Sequence, residues 1–540
     1  HIYMKFLYPL ILLISVVSIT AEGAAPDQDY STNTTITTDE TFNNVTIDDG
    51  VTVTISSTGS ITCNNIDFQG LAGSLIIESG GNLTMTGDVL DNASASVTIE
   101  HGGSFIPRTG TTTFATGNIL IEKSASSSGY SYVSSPISGA TYGGAEYTYE
   151  EHIIDADNYG TWTPVTGGGT VPVGIGYTTY QSGDISFIGT PNVAQVVLPL
   201  TQTSSVARAP NAGHHLIGNP YTAAIDMFDF FDFGLNTAFT FGSYYVWNPS
   251  NNGGAGGYDT FTAPSDNTEY ISSGQAFFIQ LDYISHPADG IYNVLLDPSM
   301  LVTENNTSFF RTSNTKFSEI VLNFSSANDE NNKLTFRFED NFTSDFDKRY
   351  EAYSSPFEET GQLRVKAIHD KSAYDIIALP LSNYSIPISV KTSESLQVQA
   401  EVIQMNNIPD GYKLELINTN TNESFELSSG SKSTFDLSQL DNQEVFRLAV
   451  SPPILGLENN IFPFNVHINN RQLILKTNGE DMKASQVWLY SLDGRVNSVW
   501  DNLPLRLSEY SLPLTKLRNG LYIVKVKTRL GTYSKKIILN

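Results

Sequence analysis

Two histidines stand side by side at His214 and His215, the one adjacent pair among eight. On a strand, neighbours point to opposite faces, so this pair cannot easily share one metal ion and reads as structural. The hexapeptide DADNYG, Asp155 to Gly160, has Asp at the first and third positions of a calcium loop and Gly at the sixth. Its fifth position is Tyr159 and its twelfth Thr166, not Glu, so it reads as a turn. Asp226, Asp229 and Asp232 recur three apart in DMFDFFDF and form one acidic face if that segment is helical. Glycoside hydrolysis needs two carboxyl groups at a set separation. With 56 acidic residues, spacing gives no means to select such a pair. GxSxG, HExxH, P-loop and CxxC patterns are absent. No catalytic residue, metal ligand set or cofactor is therefore assigned. Aromatic residues are the better lead. Trp162, Tyr244, Tyr245 and Trp247 lie in Gly-rich surroundings. Exposed Trp and Tyr on β-sandwiches stack on sugar rings, although the more common fate of such rings is core.

The elements that must carry these side chains are strands. Only 16% of residues are charged, while 40% are hydrophobic and 11% aromatic. The polar surface must then be Ser, Thr, Asn and Gly, a profile that predicts an all-β chain. A formal net charge of -27 argues against nucleic acid as partner. Cys63 is the single cysteine, which excludes an internal disulfide and a Cys-based zinc site and reads as a small buried apolar residue. Residues 4–25 read as a signal peptide: Met4-Lys5, an apolar run from Phe6 to Val17, then small residues at Ala21, Gly23, Ala24 and Ala25. No later run approaches the roughly 18 apolar residues of a membrane span, so no transmembrane anchor is expected in the mature chain.

Residues 27–123 contain a repeat of 22 residues: VTISSTGSITC from Val53, LIIESGGNLTM from Leu75 and VTIEHGGSFIP from Val97. Apolar residues recur at Val53/Leu75/Val97, Ile55/Ile77/Ile99 and Ile61/Leu83/Phe105, with Gly59, Gly81 and Gly103 at one shared turn. A unit of this kind buries its apolar side only by stacking, which predicts a right-handed parallel β-solenoid. Ile119-Leu120-Ile121 begins a fourth copy that breaks off. A polysaccharide lyase would need clustered acids or calcium ligands on one solenoid face; the repeats offer mostly Thr, Ser and Asn, so they read as a spacer.

Residues 124–300 are short aromatic strands between Gly, Pro and Asn turns, expected to form a sandwich or jelly roll. Four motifs stand in order: Ser134-Ser135-Pro136, Gly174 to Tyr177, Gly218-Asn219-Pro220-Tyr221, and Gly274-Gln275 with Phe277-Phe278. Together they resemble a region common in large exported proteins of bacteria that use type IX secretion. That resemblance implies an exported β domain and no catalytic role, and places DMFDFFDF at a turn and edge after the NPY. Residues 309–452 alternate apolar and polar over longer strands, as in Leu334/Phe336/Phe338 against Lys333/Thr335/Arg337, and predict a further β-sandwich of immunoglobulin-like architecture. The Pro/Gly stretch 453–458 reads as a linker.

Residues 459–540 end the chain on a basic strand pair, with seven Lys/Arg and no Asp or Glu from Lys516 onward. Tyr522, Val524 and Val526 share one strand face, Lys525 and Lys527 the other. LYSLDGRV (Leu489 to Val496), then Leu514, Leu517, Gly520, Tyr522, Val524 and Val526, then the terminal KKIILN resemble the type A C-terminal sorting domain of the type IX secretion system, the Por secretion system C-terminal sorting family. Asp493, Gly494, Arg495, Gly520, Tyr522, Val524, Val526, Lys535 and Lys536 are the positions that carry the match. The family usually opens on an Asn-Pro pair, where this chain has Phe462-Pro463-Phe464-Asn465. The resemblance implies an immunoglobulin-like sorting domain, the type IX secretion machinery as partner, and delivery outside the cell or to the outer-membrane surface after Sec export through the periplasm. The resulting reading is a non-enzymatic secreted or surface protein for adhesion or glycan binding, engaging glycans or host and matrix surfaces. A polysaccharide-degrading enzyme and a purely structural stalk stay open.

Overall fold

A computed structural model describes residues 25–540 except 71, 91–95, 109–118, 125–128, 141–143, 152, 154–159, 166–170, 181–182, 204–206, 208–210, 263–268, 304–305, 307–316, 355–362, 393–396, 438–442, 453–463, 478–483, 492–493, 502, 504–508, 515–516, 529–531 and 540. The expected signal peptide, most of DADNYG, the 453–458 linker, Phe462-Pro463 and Asp493 lie outside the described residues. The chain divides into two compact units, residues 1–408 with 414–449, and residues 409–413 with 450–540. It is nearly all β. Among the described residues no helix is long and apolar enough to cross a membrane.

The first unit begins as a β-solenoid of about three turns. Each turn gives one strand to each of three parallel sheets. One sheet stacks Thr34–Ile36, Thr52–Ile55, Ser74–Ile77, Ser96–Ile99 and Ile119–Ser124. A second stacks Asp39–Thr41, Ser60–Cys63, Asn82–Met85 and Ser104–Pro107, and the third holds Gln28–Tyr30, Asn44–Ile47, Asn65–Phe68 and Val89–Leu90. The repeat columns are the register: Val53 pairs with Leu75, Leu75 with Val97 and Val97 with Ile119. Alternate residues point inward, so Ile55, Ile77, Ile99 and Ile121 are all 0% exposed.

The glycine column has a steric cause. A Cβ on Gly59, Gly81 or Gly103 would sit 2.2, 2.5 or 2.6 Å from the carbonyl oxygen of Ile36, Ile55 or Ile77, one turn back. A corner ladder of amides reinforces the stack: Asn65 donates to Asn44 at 2.8 Å, Asn64 to Asn43 at 3.1 Å, and Asn43 and Asn44 both donate to Asp27. The fourth copy breaks off because the sheet changes direction. Asp184–Pro191 pairs antiparallel with Ile119–Ser124 and closes that edge. Thr222 and Asn306 bond the backbone of Phe105 and Gly103 at the end of a second sheet.

The aromatic region follows, with the six-residue helices Met227–Asp232 and Gly234–Phe239. DMFDFFDF is therefore a strand end and a helix, not a turn and edge. Asp226 caps the helix by accepting from the backbone N–H of Phe228 at 2.7 Å and of Asp229 at 3.2 Å. The burial of Met227, Phe230 and Phe231 then turns that helix onto the core. The four resemblance motifs meet in one backbone clasp. Ser134 N–H donates to Gly274 at 2.8 Å, Gly274 to Asn219 at 3.3 Å, Asn219 to Gln275 at 2.9 Å and Gly218 to Gly174 at 3.0 Å. A Cβ on Gly218 would fall 2.1 Å from Cβ of Ser134. The Asn219 side chain donates to the carbonyls of Ala223 and Ile271, and Tyr221 OH donates to Leu296 at 2.7 Å. These motifs are joinery.

From Ser318 to Ser451 the strands form one 11-stranded hydrogen-bonded sheet, where an immunoglobulin-like sandwich would have two. One neighbouring pair, Asn331–Phe338 with Ser372–Leu379, runs parallel. The sheet curls on itself. Its end strands Ser424–Glu426 and Lys432–Asp436 are separated in the chain only by residues 427–431. Phe425 meets Phe435 at 4.8 Å, Phe435 meets Phe446 at 4.6 Å, and Phe446 meets Phe324 at 6.0 Å. Leu334, Phe336 and Phe338 face this interior, as the alternation predicts.

The second unit contains a three-stranded sheet, Phe464–Asn469, Gln472–Thr477 and Glu509–Pro513. Its partner is a four-stranded sheet of Val496–Asp501, Ala484–Ser491, Gly520–Thr528 and Thr532–Leu539. Leu473, Leu475, Tyr510 and Leu512 from one sheet pack with Val487, Leu489, Tyr522, Val524 and Val526 from the other.

Candidate functional site

The strand Thr240–Asn248 runs between Ala276–Leu281 and the edge strand Gly257–Thr262. It buries Tyr244, Tyr245 and Trp247, all at or below 8% exposure. Tyr245 OH donates to Tyr353 O at 3.1 Å, and Trp247 Nε1 donates to Tyr130 O at 2.8 Å. The Trp247 ring stacks on Tyr132 at 5.3 Å and 6°. Trp162, half-buried, meets Tyr132, Tyr149 and Phe278 edge-on at 5.5 to 5.9 Å. The structure thus places Tyr244, Tyr245 and Trp247 in an interlocked core, with the half-buried Trp162 packed edge-on against it. His214 and His215 are both buried on His214–Gly218, and His215 Nε2 lies 2.8 Å from Thr201 O.

What those rings support is a cleft beside them. The edge strand Gly257–Thr262 crosses the polar outer face of the curled sheet, leaving a cavity of about 700 Å³. Alternation decides which side chains line it. With Leu334, Phe336 and Phe338 turned inward, Lys333, Thr335 and Arg337 must face the cleft. Lys333 Nζ pairs with Asp259 at 3.1 Å, and Arg337 Nε pairs with Glu319 at 2.7 Å. Gln404 donates to Glu319 at 2.9 Å, and Arg337 also donates to the Thr262 hydroxyl. Asp375 accepts from Thr260 and Ser354, each at 2.7 Å. Two strand ends with their adjoining turns contribute amides to the same cavity: Asn248, Asn251 and Asn252 at one, Asn331 and Asn332 at the other. Asn252 Oδ1 joins the turns by accepting from Asn331 N–H at 2.9 Å.

The electrostatics follow from burial. Arg337 and Glu319 are 5% and 2% exposed, so each charge depends on the other. Glu269 also lines the cleft and accepts a hydrogen bond from Tyr244 OH. Burial pushes its carboxyl up to about 7, against the lowering effect of the Tyr244 hydrogen bond and the Arg337 charge. The cleft therefore offers amides, hydroxyls, compensated ion pairs and one carboxyl that holds its proton near neutrality. Among the described residues no group of three His, Cys, Asp or Glu is placed to hold a metal ion.

Sequence reasoning missed this site. Its traces were the paired asparagines of NPSNNGG and DENNK and the lone arginine of KLTFRFED, which periodicity had assigned to solvent. Of the positions that carry the sorting-domain resemblance, Tyr522, Val524 and Val526 face the core of the second unit, while Arg495, Gly520, Lys535 and Lys536 are exposed. Gly494 takes φ +80° in a turn closed by its N–H on Ser491 O at 2.9 Å. Lys525 and Lys527 face away from the core, as the alternation requires.

No curated protein matches this chain. A solved structure titled "Biofilm associated protein - BSP domain" aligns at 11% identity over 78% of this chain and 92% of its own, with a TM-score of 0.12, a likeness that carries no argument. Residues 28–412 match the family described as "Domain of unknown function (DUF8693)", so the solenoid, the aromatic region and most of the curled sheet are its body, and the chain belongs to that family.

Proposed function

We propose that this protein is exported by type IX secretion to the outside of the cell or the outer-membrane surface, where it acts without catalysis in adhesion or glycan binding. The observation that carries the binding reading is the 700 Å³ cleft. Its amides and hydroxyls suit a polyhydroxylated ligand, and a volume of this size is that of an ordinary ligand site. Its ion pairs are already compensated, so they orient the walls and leave hydrogen bonding to do the recognition. The solenoid serves as spacer. One observation favours a second reading, polysaccharide cleavage: a carboxyl with its proton retained near pH 7, as at Glu269, is what a general acid requires.

The chain from Ala25 onward, incubated with a panel of polysaccharides, is expected to be depleted from solution by at least one of them without new sugar ends. Val321→Trp should weaken that binding at least about tenfold by filling the cleft. New reducing or unsaturated ends, lost in Glu269→Gln, would replace the binding reading with the enzymatic one. Depletion unaffected by Val321→Trp would move the site elsewhere. For the export route, removing Leu514 to Asn540 is expected to trap the protein in the periplasm. Unaltered surface delivery of that variant would sink the sorting assignment.

A further inference from the structure

The second unit departs from the rest of the chain in charge. Residues 450–540 hold 12 Lys/Arg against 6 Asp/Glu, whereas residues 1–449 hold 17 against 50. One face of its four-stranded sheet also exposes apolar side chains and lysines side by side, with Asp501 as its carboxylate among the described residues. The four-stranded sheet turns Val487, Leu489, Val524 and Val526 to its core. The register then fixes what lies on the other side. Trp488 stands between Val499 and Lys525, and Tyr490 between Val496 and Ile523. Ile523 is followed by Lys536, and Leu521 by Ile538. Val496, Val499 and Ile538 are 47%, 44% and 64% exposed. The Lys525 ammonium lies 5.9 Å from the Trp488 ring centroid. Exposed apolar side chains gathered on one sheet face mark an interaction site. Among the described residues none of Lys525, Lys527 and Lys536 is ion-paired.

We propose that this outer face docks on an anionic lipid surface, with the aliphatic and indole side chains at the headgroup boundary and the three lysines on lipid phosphates. Charge complementarity selects that occupant. Face-to-face pairing with a second copy would bring together two faces that each carry, among the described residues, three lysines against the single carboxylate of Asp501. An anionic headgroup layer offers negative charge in every register and an apolar layer beneath it. Trp and Tyr settle at such boundaries, and Lys reaches past apolar surface to the phosphates. The same layer repels the acidic remainder of the chain, so the basic unit is the part that it attracts. This inference is independent of what the cleft binds.

The test is co-sedimentation of the chain from Ala25 onward, which holds every described residue, with lipid vesicles. Binding is expected to phosphatidylcholine vesicles containing about 30% phosphatidylglycerol, and not to phosphatidylcholine alone, with strong weakening by salt. Lys525→Glu with Lys527→Glu, and separately Val499→Asn with Ile538→Asn, should each lower binding about tenfold. Lys535→Glu, on the other face of the terminal strand by its pairing with Val524, should leave it nearly unchanged. Absence of binding to anionic vesicles would overturn the proposal. So would an equal loss in Lys535→Glu, which would mean attraction by net charge rather than by this face. A concentration-dependent dimer abolished by the same two double substitutions, without vesicle binding, would assign the face to a second copy instead.

Discussion

Ile77→Asp is expected to destabilise the first unit by more than about 4 kcal/mol, enough to unfold the solenoid at ambient temperature. Ile77 is 0% exposed, in register between Ile55 and Ile99. The substitution removes a packed side chain and buries a carboxylate in an apolar column. Position within the stack sets the size of the effect. A solenoid is held by contacts between successive turns, so a central turn that fails takes two interfaces with it. Ile36→Asp, in the first strand of the same sheet, breaks one and is expected to cost about half as much. Denaturant unfolding followed by circular dichroism measures both. An unchanged midpoint for Ile77→Asp would remove the inward assignment of the whole column.

That column was legible because translation symmetry repeats one physical requirement at 22-residue spacing. Inward apolar residues and sterically forced glycines both recur, so Val53/Leu75/Val97 and Gly59/Gly81/Gly103 reported the stack without any structure. The alternation of Leu334, Phe336 and Phe338 was legible for the same reason, with a period of two in place of the long one. What lay over the other face was not. Arg337 alternates as a solvent-facing residue should, and it is 5% exposed because a strand some 75 positions earlier crosses it. Alternation reports which side of a strand a residue is on and is silent on whether another element covers that side. The cleft exists only through such long-range juxtaposition, so no local pattern contained it.

The aromatic region shows the converse limit. Gly-rich surroundings left Tyr244, Tyr245 and Trp247 open to a sugar-stacking role beside the commoner core one. Glycine there serves close packing instead: a Cβ on Gly256 would sit 2.0 Å from the Trp247 ring. Small residues beside large rings mark tight packing as readily as open surface. The DMFDFFDF segment was misplaced because six residues are too few for helical periodicity to declare itself. The Asp226 cap, rather than the spacing of the three aspartates, is what starts that helix. The SSP, GxGY, GNPY and GQ motifs stand far apart in the sequence, and their common physical cause is the single clasp that they build.

Lys123→Met is expected to stabilise the protein by about 4 kcal/mol near neutral pH, an unusual sign for a single substitution. Lys123 occupies an inward position on Ile119–Ser124, next after Ile119 and Ile121, where the antiparallel strand closes the solenoid. It is 5% exposed, and among the described residues its ammonium has no hydrogen-bond partner. Its stem runs past Gly274 of the clasp, whose added Cβ would lie 3.8 Å from Cγ of Lys123. Burial alone pulls its pKa down to about 7, whereas an unfolded chain holds the proton up to about 10.4. Below pH 7 both states carry the proton and the cost of burying it is fully present. Between those two values only the unfolded chain binds it, so the stability of the parent protein should rise with pH, by up to about 1.4 kcal/mol per unit. The Met side chain has similar length and no charge, so its advantage should be largest at or below pH 7 and fade toward pH 10. Unfolding free energies of the two proteins at pH 6, 8 and 9.5, measured side by side, cancel every other titration and leave that difference. A gap that narrows with pH places the lysine as an uncompensated charge at the join between solenoid and clasp. A gap of zero at all three values would mean that the ammonium reaches water or an acceptor there, and that the join is looser than its backbone hydrogen bonds imply.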